Sequence, residues 1–183
     1  MKTGKLIVLS GPGGVGKSTI VKELKLHPAF YFSVSATTRA PLVGEIDGEA
    51  YHFVSDKEFG EMIAAGEFLE WAEFAGAKYG TPKKPVEEAL SKGKNVLLEI
   101  EIDGARQVRA KRTDAMLVFL EPPSFASLEE RIRGRGTDSE ERVQARLALA
   151  REEMAASGEF DHIVVNHRVE DVVAALVSFA LRK

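Results

Sequence analysis

The sequence predicts an α/β fold: a three-layer sandwich with a parallel core sheet between helices, an inserted mixed α/β lobe and a helical lid. Three observations carry this. Four apolar runs, at 6–9, 96–100, 116–120 and 163–165, are short, β-branched or leucine-rich and nearly unbroken, as strands covered on both faces are. Helical patterns lie between them, and strands alternating with helices build a parallel sheet. Residues 34–85 break the rhythm with Pro41, Gly44, Gly48, Gly66, Gly76, Gly80, Pro82 and Pro85 among short aromatic segments, which marks a separate small lobe.

The elements follow in order. Strand 6–9 leads through a glycine-rich turn into a helix over 17–26. In the inserted lobe, Ser55 and Glu58 form a capping box ahead of Phe59, Met62 and Ile63. Residues 68–74 alternate apolar with small or charged residues, as a half-buried strand does. Strand 96–100 precedes a helix over 103–111 that Asp103 is expected to cap. After strand 116–120, Ser127 and Glu130 suggest a capping box for the helix carrying Arg131. Residues 133–140 form an exposed, mobile loop before a helix over about 139–157, with Val143, Leu147, Ala150 and Met154 on one face. A helix over 169–181 closes the chain. The expected organisation is one domain over 1–183, with a core (1–33, 86–124 and 157–183), a lobe (about 34–85) and a lid (about 125–156).

Composition narrows the function. The chain has 183 residues, enough for one domain with its own core, and no cysteine, which excludes a disulfide framework, a thiol nucleophile and Cys-ligated zinc. Lys and Arg total 25 against 28 Asp and Glu, a net charge of −3, which argues against a nucleic-acid partner. No apolar run approaches the roughly 20 residues of a membrane span. Glycines follow the first apolar run too soon for a signal peptide, so a cytoplasmic location is expected.

The strongest local signal is Gly11-Pro12-Gly13-Gly14-Val15-Gly16-Lys17-Ser18, followed by Thr19, which fits G-x-x-x-x-G-K-[ST] between a strand and a helix. Glycines let successive N–H groups curl around phosphate oxygens, and the helix N-terminus adds its positive end. Lys17 supplies a charge for the β/γ-phosphates and the Ser18 hydroxyl a ligand for Mg²⁺. The motif indicates a nucleoside triphosphate but leaves ATPases, GTPases and small-molecule kinases open. No Asn-Lys-x-Asp guanine motif is present, which counts against a GTPase.

Downstream stand Ser35-Ala36-Thr37-Thr38-Arg39-Ala40-Pro41, Gly44-Glu45, Gly48 and Tyr51, then Phe68-Leu69-Glu70-Trp71, Tyr79-Gly80-Thr81, and Arg133-Gly134-Arg135-Gly136 before Ser139-Glu140-Glu141. In this order and spacing, from Gly11 to about Asn166, the sequence closely resembles guanylate kinases. The resemblance implies a P-loop NTPase-type core, a GMP-binding lobe and ATP-dependent phosphorylation of GMP, with dGMP as a second acceptor. It implies GMP contacts from Ser35, Arg39, Tyr51, Glu70, Tyr79, Gly80, Thr81 and Glu101. It implies catalytic roles for Lys17, Arg39, Arg131, Arg135 and Arg146, and ATP contacts from residues 11–19 and Asn166.

The chemistry agrees. One carboxylate can accept both N1–H and the N2 amino group of guanine, as Glu70 would, whereas adenine offers an acceptor at N1. The hydroxyls of Ser35 and Thr81 suit guanine O6. Arg39, Tyr51 and Tyr79 suit a phosphate. Singly, each also fits turn chemistry, packing or a solvated strand face. Glu99 and Glu101 close an apolar strand and are expected on one face at its carboxyl end, Glu99 toward Mg²⁺ through water and Glu101 toward GMP. Asn166 either reads an adenine edge or ends a strand.

Three positions depart from the family. Leu42 stands where an arginine usually meets the GMP phosphate, with Lys83 or Lys84 as a partial replacement. Glu101 replaces an aspartate and Asp103 a glutamine. Leu42 implies a weaker KM for GMP. The rival readings are a phosphopeptide-binding scaffold without turnover and a P-loop kinase of another small acceptor. The expected partners are ATP and GMP, with the protein a monomer or homodimer.

Overall fold

A computed structural model describes residues 3–134, 136 and 138–182. In chain order the elements are β1 (Leu6–Ser10), α1 (Lys17–Leu24), β2 (Phe30–Tyr31), β3 (Ala36–Thr37), β4 (His52–Phe53), α2 (Asp56–Ala64), β5 (Phe68–Phe74), β6 (Ala77–Pro82) and α3 (Lys83–Ser91). Then come β7 (Asn95–Glu99), α4 (Ile102–Lys111), β8 (Met116–Glu121), α5 (Phe125–Arg133), α6 (Glu140–Ala155), β9 (His162–Val165) and α7 (Val169–Leu181).

Five strands form the core sheet in the order β2-β7-β1-β8-β9, all parallel. Alternating side chains of β1 explain why its run is continuously apolar. Ile7 and Leu9 face α1, α5, α6 and α7, packing with Ile20, Leu128, Leu147 and Leu176. Leu6 and Val8 face α3 and α4, packing with Val86, Leu90, Ala105 and Val108. The three-layer α/β architecture is therefore as the sequence predicts. No helix among the described residues is long and apolar enough to cross a membrane.

Residues 36–82 build a second sheet in the order β4-β3-β6-β5, with β5 and β6 an antiparallel hairpin. Phe59, Phe68 and Ala36 are its own small core. The Ser55–Glu58 capping box on α2 is present. The β5 burial pattern, however, is not alternating: Phe68, Leu69 and Glu70 are all buried. A bulge between Phe68 and Glu70 is the cause. It sends Leu69 into the core beneath the main sheet and turns Glu70 toward Thr81.

Three further expectations are corrected. The helix with Arg131 starts earlier: Ser124 and Ser127 form the reciprocal cap, because Pro122 and Pro123 end β8 just before it. Glu101, not Asp103, is the N-cap residue of α4, and Asp103 pairs with Arg106 at 2.7 Å within the first turn. Since β7 ends at Glu99, Glu99 and Glu101 do not share a strand face.

Candidate active site

The loop 11–16 leaves β1 at the carboxyl edge of the core sheet and enters α1. Gly16 occupies the N-cap of α1 at φ 104°, where a Cβ would also lie 2.9 Å from Asn166 Nδ2. No side chain caps α1, so its first N–H groups and dipole are left for an anion. Lys17 is buried and folds back, its Nζ donating to the Gly11 carbonyl and, at 3.5 Å, to that of Pro12. Ser18 and Thr19 are exposed on the first turn.

The loop is braced from three sides. Arg131 Nη1 donates to the Val15 carbonyl at 3.0 Å, and Asn166 Nδ2 donates to the same oxygen at 2.8 Å. Asn166 is thus spent on the loop in this structure, at the end of β9. Gly13 N–H donates to Glu153 at 3.1 Å. Burial pushes the Glu153 carboxyl up, opposed by the Gly13 bond, while the charge of Glu101 adds to the rise and Lys17 counters it. The sequence reading missed Glu153. Its signal is helical spacing, seven residues beyond Arg146 and so on the same face of α6.

Glu99 pairs in register with Leu9, which brings it beside the loop. Its side chain keeps an exposed edge, yet desolvation raises its pKa; Lys17 and a bond from Ser18 lower it, and Glu101 raises it. Glu99 and Glu101 thus come from two different elements, the end of β7 and the N-cap of α4. Among the described residues no three acidic or histidine side chains form a metal cage. The cradle offers one hydroxyl and one carboxylate, oxygen donors of the kind Mg²⁺ takes when phosphates and water supply the rest.

The lobe holds the remaining predicted residues. Arg39 makes a bidentate pair with Glu45 at 2.9 Å for both bonds, and Glu45 also accepts from Leu42 N–H at 2.7 Å. These bonds hold the Glu45 carboxyl below its usual range and Arg39 above its own. The Arg39 guanidinium lies 5.4 Å from the Tyr51 ring, and Tyr51 meets Tyr79 edge-on at 5.9 Å. Thr37 and Thr38 hydroxyls lock β3 to Lys78 at the start of β6. Leu42 is 64% exposed. Lys83 Nζ lies 3.6 Å from Glu87, one turn along α3.

Glu70 is buried, and Thr81 Oγ1 donates to its Oε1 at 2.5 Å. Desolvation raises the Glu70 pKa, with the Thr81 bonds and the Lys111 charge opposing. Ala36 pairs with Gly80, so Ser35 lies next to the Gly80-Thr81 step. In the lid segment, Arg146 pairs with Asp138 at 2.6 Å, and Arg133 is engaged by Glu129 and Glu140. Arg135 lies outside the described residues.

The arrangement joins an N–H-lined loop to a lobe in which Arg39 lies beside Tyr51, Tyr51 meets Tyr79, and Glu70 is a buried carboxylate. The family model for guanylate kinase matches residues 3–182. The chain is 55% identical over 176 residues to the guanylate kinase of Prochlorococcus marinus (strain MIT 9313), covering 96% of this chain and 93% of that one. It is 54% identical over 180 residues to that of Streptomyces kasugaensis, covering 98% and 88%. The crystal structure of guanylate kinase from Anaplasma phagocytophilum superposes with a TM-score of 0.75 at 29% identity, covering 100% of this chain and 89% of that chain.

Proposed function

The chain belongs to the guanylate kinase family, and from that premise we propose how its residues divide the transfer of the ATP γ-phosphoryl group to GMP. The observation that carries this division is the buried Glu70–Thr81 pair in the lobe, set apart from the Lys17 cradle. Glu70 accepts the two guanine donors, Ser35 and Thr81 face O6, Glu101 adds a contact on the guanine side, and the backbone at Gly80 lines the base. Arg39, Tyr51 and Tyr79 hold the GMP phosphate, and Arg39 must exchange Glu45 for it.

Residues 11–19 bind the ATP phosphates, with Lys17 swinging from the Gly11 carbonyl to the β/γ-phosphates. Asn166 holds the cradle's shape and borders the adenine. Ser18 and Glu99, the latter through water, would hold Mg²⁺, whose charge offsets that of the β- and γ-phosphates. A GMP phosphate oxygen then forms a bond to the γ-phosphorus in line as the bond to the β–γ bridging oxygen breaks, giving GDP and ADP. A phosphate dianion is already a nucleophile, so the protein supplies position and charge rather than a base. Arg131, already bonded to the cradle at Val15, and Arg146, once released from Asp138, stabilise the moving group, with Arg135 completing the set. The lobe (34–85) and lid (125–156) close over the two nucleotides and exclude water. The same reading places the enzyme in the cytoplasm.

The test is a single-turnover reaction with γ-labelled ATP and excess GMP. Label recovered in GDP supports the proposal. Label in inorganic phosphate without GDP refutes it.

A further inference from the structure

The strand that carries Glu70 is the edge of the lobe sheet, since β5 ends the order β4-β3-β6-β5. Edge strands present unpaired N–H and C=O groups that must find partners. Here those partners come from a core helix, not from another strand. Gln107 of α4 makes a reciprocal pair with the Trp71 backbone: Trp71 N–H donates to Oε1 at 3.1 Å and Nε2 donates to the Trp71 carbonyl at 2.9 Å. Lys111 Nζ donates to the Phe68 carbonyl at 2.9 Å. Glu70 lies between the two anchored residues.

The helix face that does this is continuous. Gly104, Gln107 and Lys111 are spaced by three and four residues, so they line one side of α4. Gly104 lets the helix approach: a Cβ there would stand 3.1 Å from Glu70 Oε2 and 3.3 Å from Ile100. On the adjoining side, Ala105 and Val108 pack in the same buried cluster as Leu69, the residue at the β5 bulge. The strand is thus held to α4 by its backbone on both sides of Glu70 and by Leu69 below it. The Arg39–Tyr51 half of the lobe, next to β3 and β4, connects to this anchor through β6 and through the small core of Ala36, Phe59 and Phe68.

We infer that Gln107 is a positioning residue: its two bonds to Trp71, with Lys111 on Phe68, fix the Glu70 carboxylate against the core, so that guanine is read from a rigid edge. This rests on the reading of Glu70 as the guanine-binding carboxylate. An amide side chain used in this way mimics the neighbouring strand that β5 lacks. A lost anchor lets the strand shift and misaligns the carboxylate, without touching the ATP cradle.

Gln107→Met keeps the side-chain length and removes both bonds. IMP is the discriminating probe, because it retains N1–H and lacks the N2 amino group. The expected result for Gln107→Met is a KM for GMP raised about tenfold and a GMP-over-IMP ratio of kcat/KM lowered by a similar factor, with KM for ATP and saturated kcat within about twofold. Lys111→Met, at an exposed position, should move the same two quantities in the same direction by less. It carries the test if Gln107→Met does not fold.

An unchanged KM and an unchanged GMP-over-IMP ratio would overturn the inference. So would a loss spread equally over GMP, ATP and kcat in step with lowered melting temperature. Glu70→Gln, run in parallel, separates the two layers. If Glu70→Gln is impaired and Gln107→Met is normal, the anchor alone fails. If Glu70→Gln is itself normal, the reading of Glu70 fails, and the anchor with it.

Discussion

Replacing Glu70 by Gln should make the protein a much worse enzyme and a slightly more stable one. Thr81 Oγ1 donates to Glu70 Oε1 at 2.5 Å. In the variant the amide oxygen takes that place to keep accepting, which turns the NH₂ group toward the base. One charge-assisted bond is lost, about 1.5–3 kcal/mol, and a buried donor faces a donor, about 1–3 kcal/mol more. The sum of about 2.5–6 kcal/mol corresponds to a kcat/KM for GMP lower by about 10²- to 10⁴-fold.

Stability should move the other way. Burial raises the Glu70 pKa in the folded state above its unfolded value. Its contribution is therefore full below the ordinary glutamate range and is lost as pH rises through the folded pKa. A neutral Gln lacks that loss, so the variant should melt higher than the parent at pH 8 and match it near pH 4. The acid limb of kcat/KM for GMP in the parent should lie above the ordinary glutamate range, because the ionised carboxylate is the acceptor. The assays are coupled ADP release and thermal denaturation at both pH values. Normal GMP turnover together with unchanged stability at pH 8 would refute the reasoning.

Lys17→Ala should abolish most turnover while the protein stays folded, checked by ADP release and circular dichroism. Arg146→Ala, which removes the nearer of the two arginines that pair with Asp138, should lower kcat by about 10³-fold or more and change KM far less, as for arginines in other phosphoryl-transfer enzymes. The reverse split in initial-rate kinetics would assign Arg146 to ground-state binding. Leu42→Arg should lower KM for GMP by about tenfold, since position 42 is exposed and its N–H already shares Glu45 with Arg39. An unchanged KM would show that the missing cation does not limit affinity.

What the sequence made legible was local. The unbroken runs of β1 and β8 and the Gly16-Lys17-Ser18 step each announce themselves within a few neighbouring residues, and the parallel sheet follows from their alternation with helices. The cap at Ser124 escaped because two prolines shifted the start of α5. The bulge at Leu69 escaped because residues 68–74 read as one alternating strand, although the adjacent apolar pair Phe68-Leu69 breaks that period. Contacts between distant segments were out of reach altogether: Gly13 with Glu153 spans 140 positions and Trp71 with Gln107 spans 36. Those long-range bonds set where Glu70 and the cradle sit, so the residue types of the site could be named before their supports could.

The central claim is that a P-loop cradle and a guanine-reading lobe together make one phosphotransferase. Initial rates of ADP release with ATP and Mg²⁺, comparing GMP, AMP, UMP and no acceptor, test it most directly. The account predicts fast release with GMP and background rates with the other three. Release that is independent of GMP, or equal with AMP, from a folded protein would contradict it.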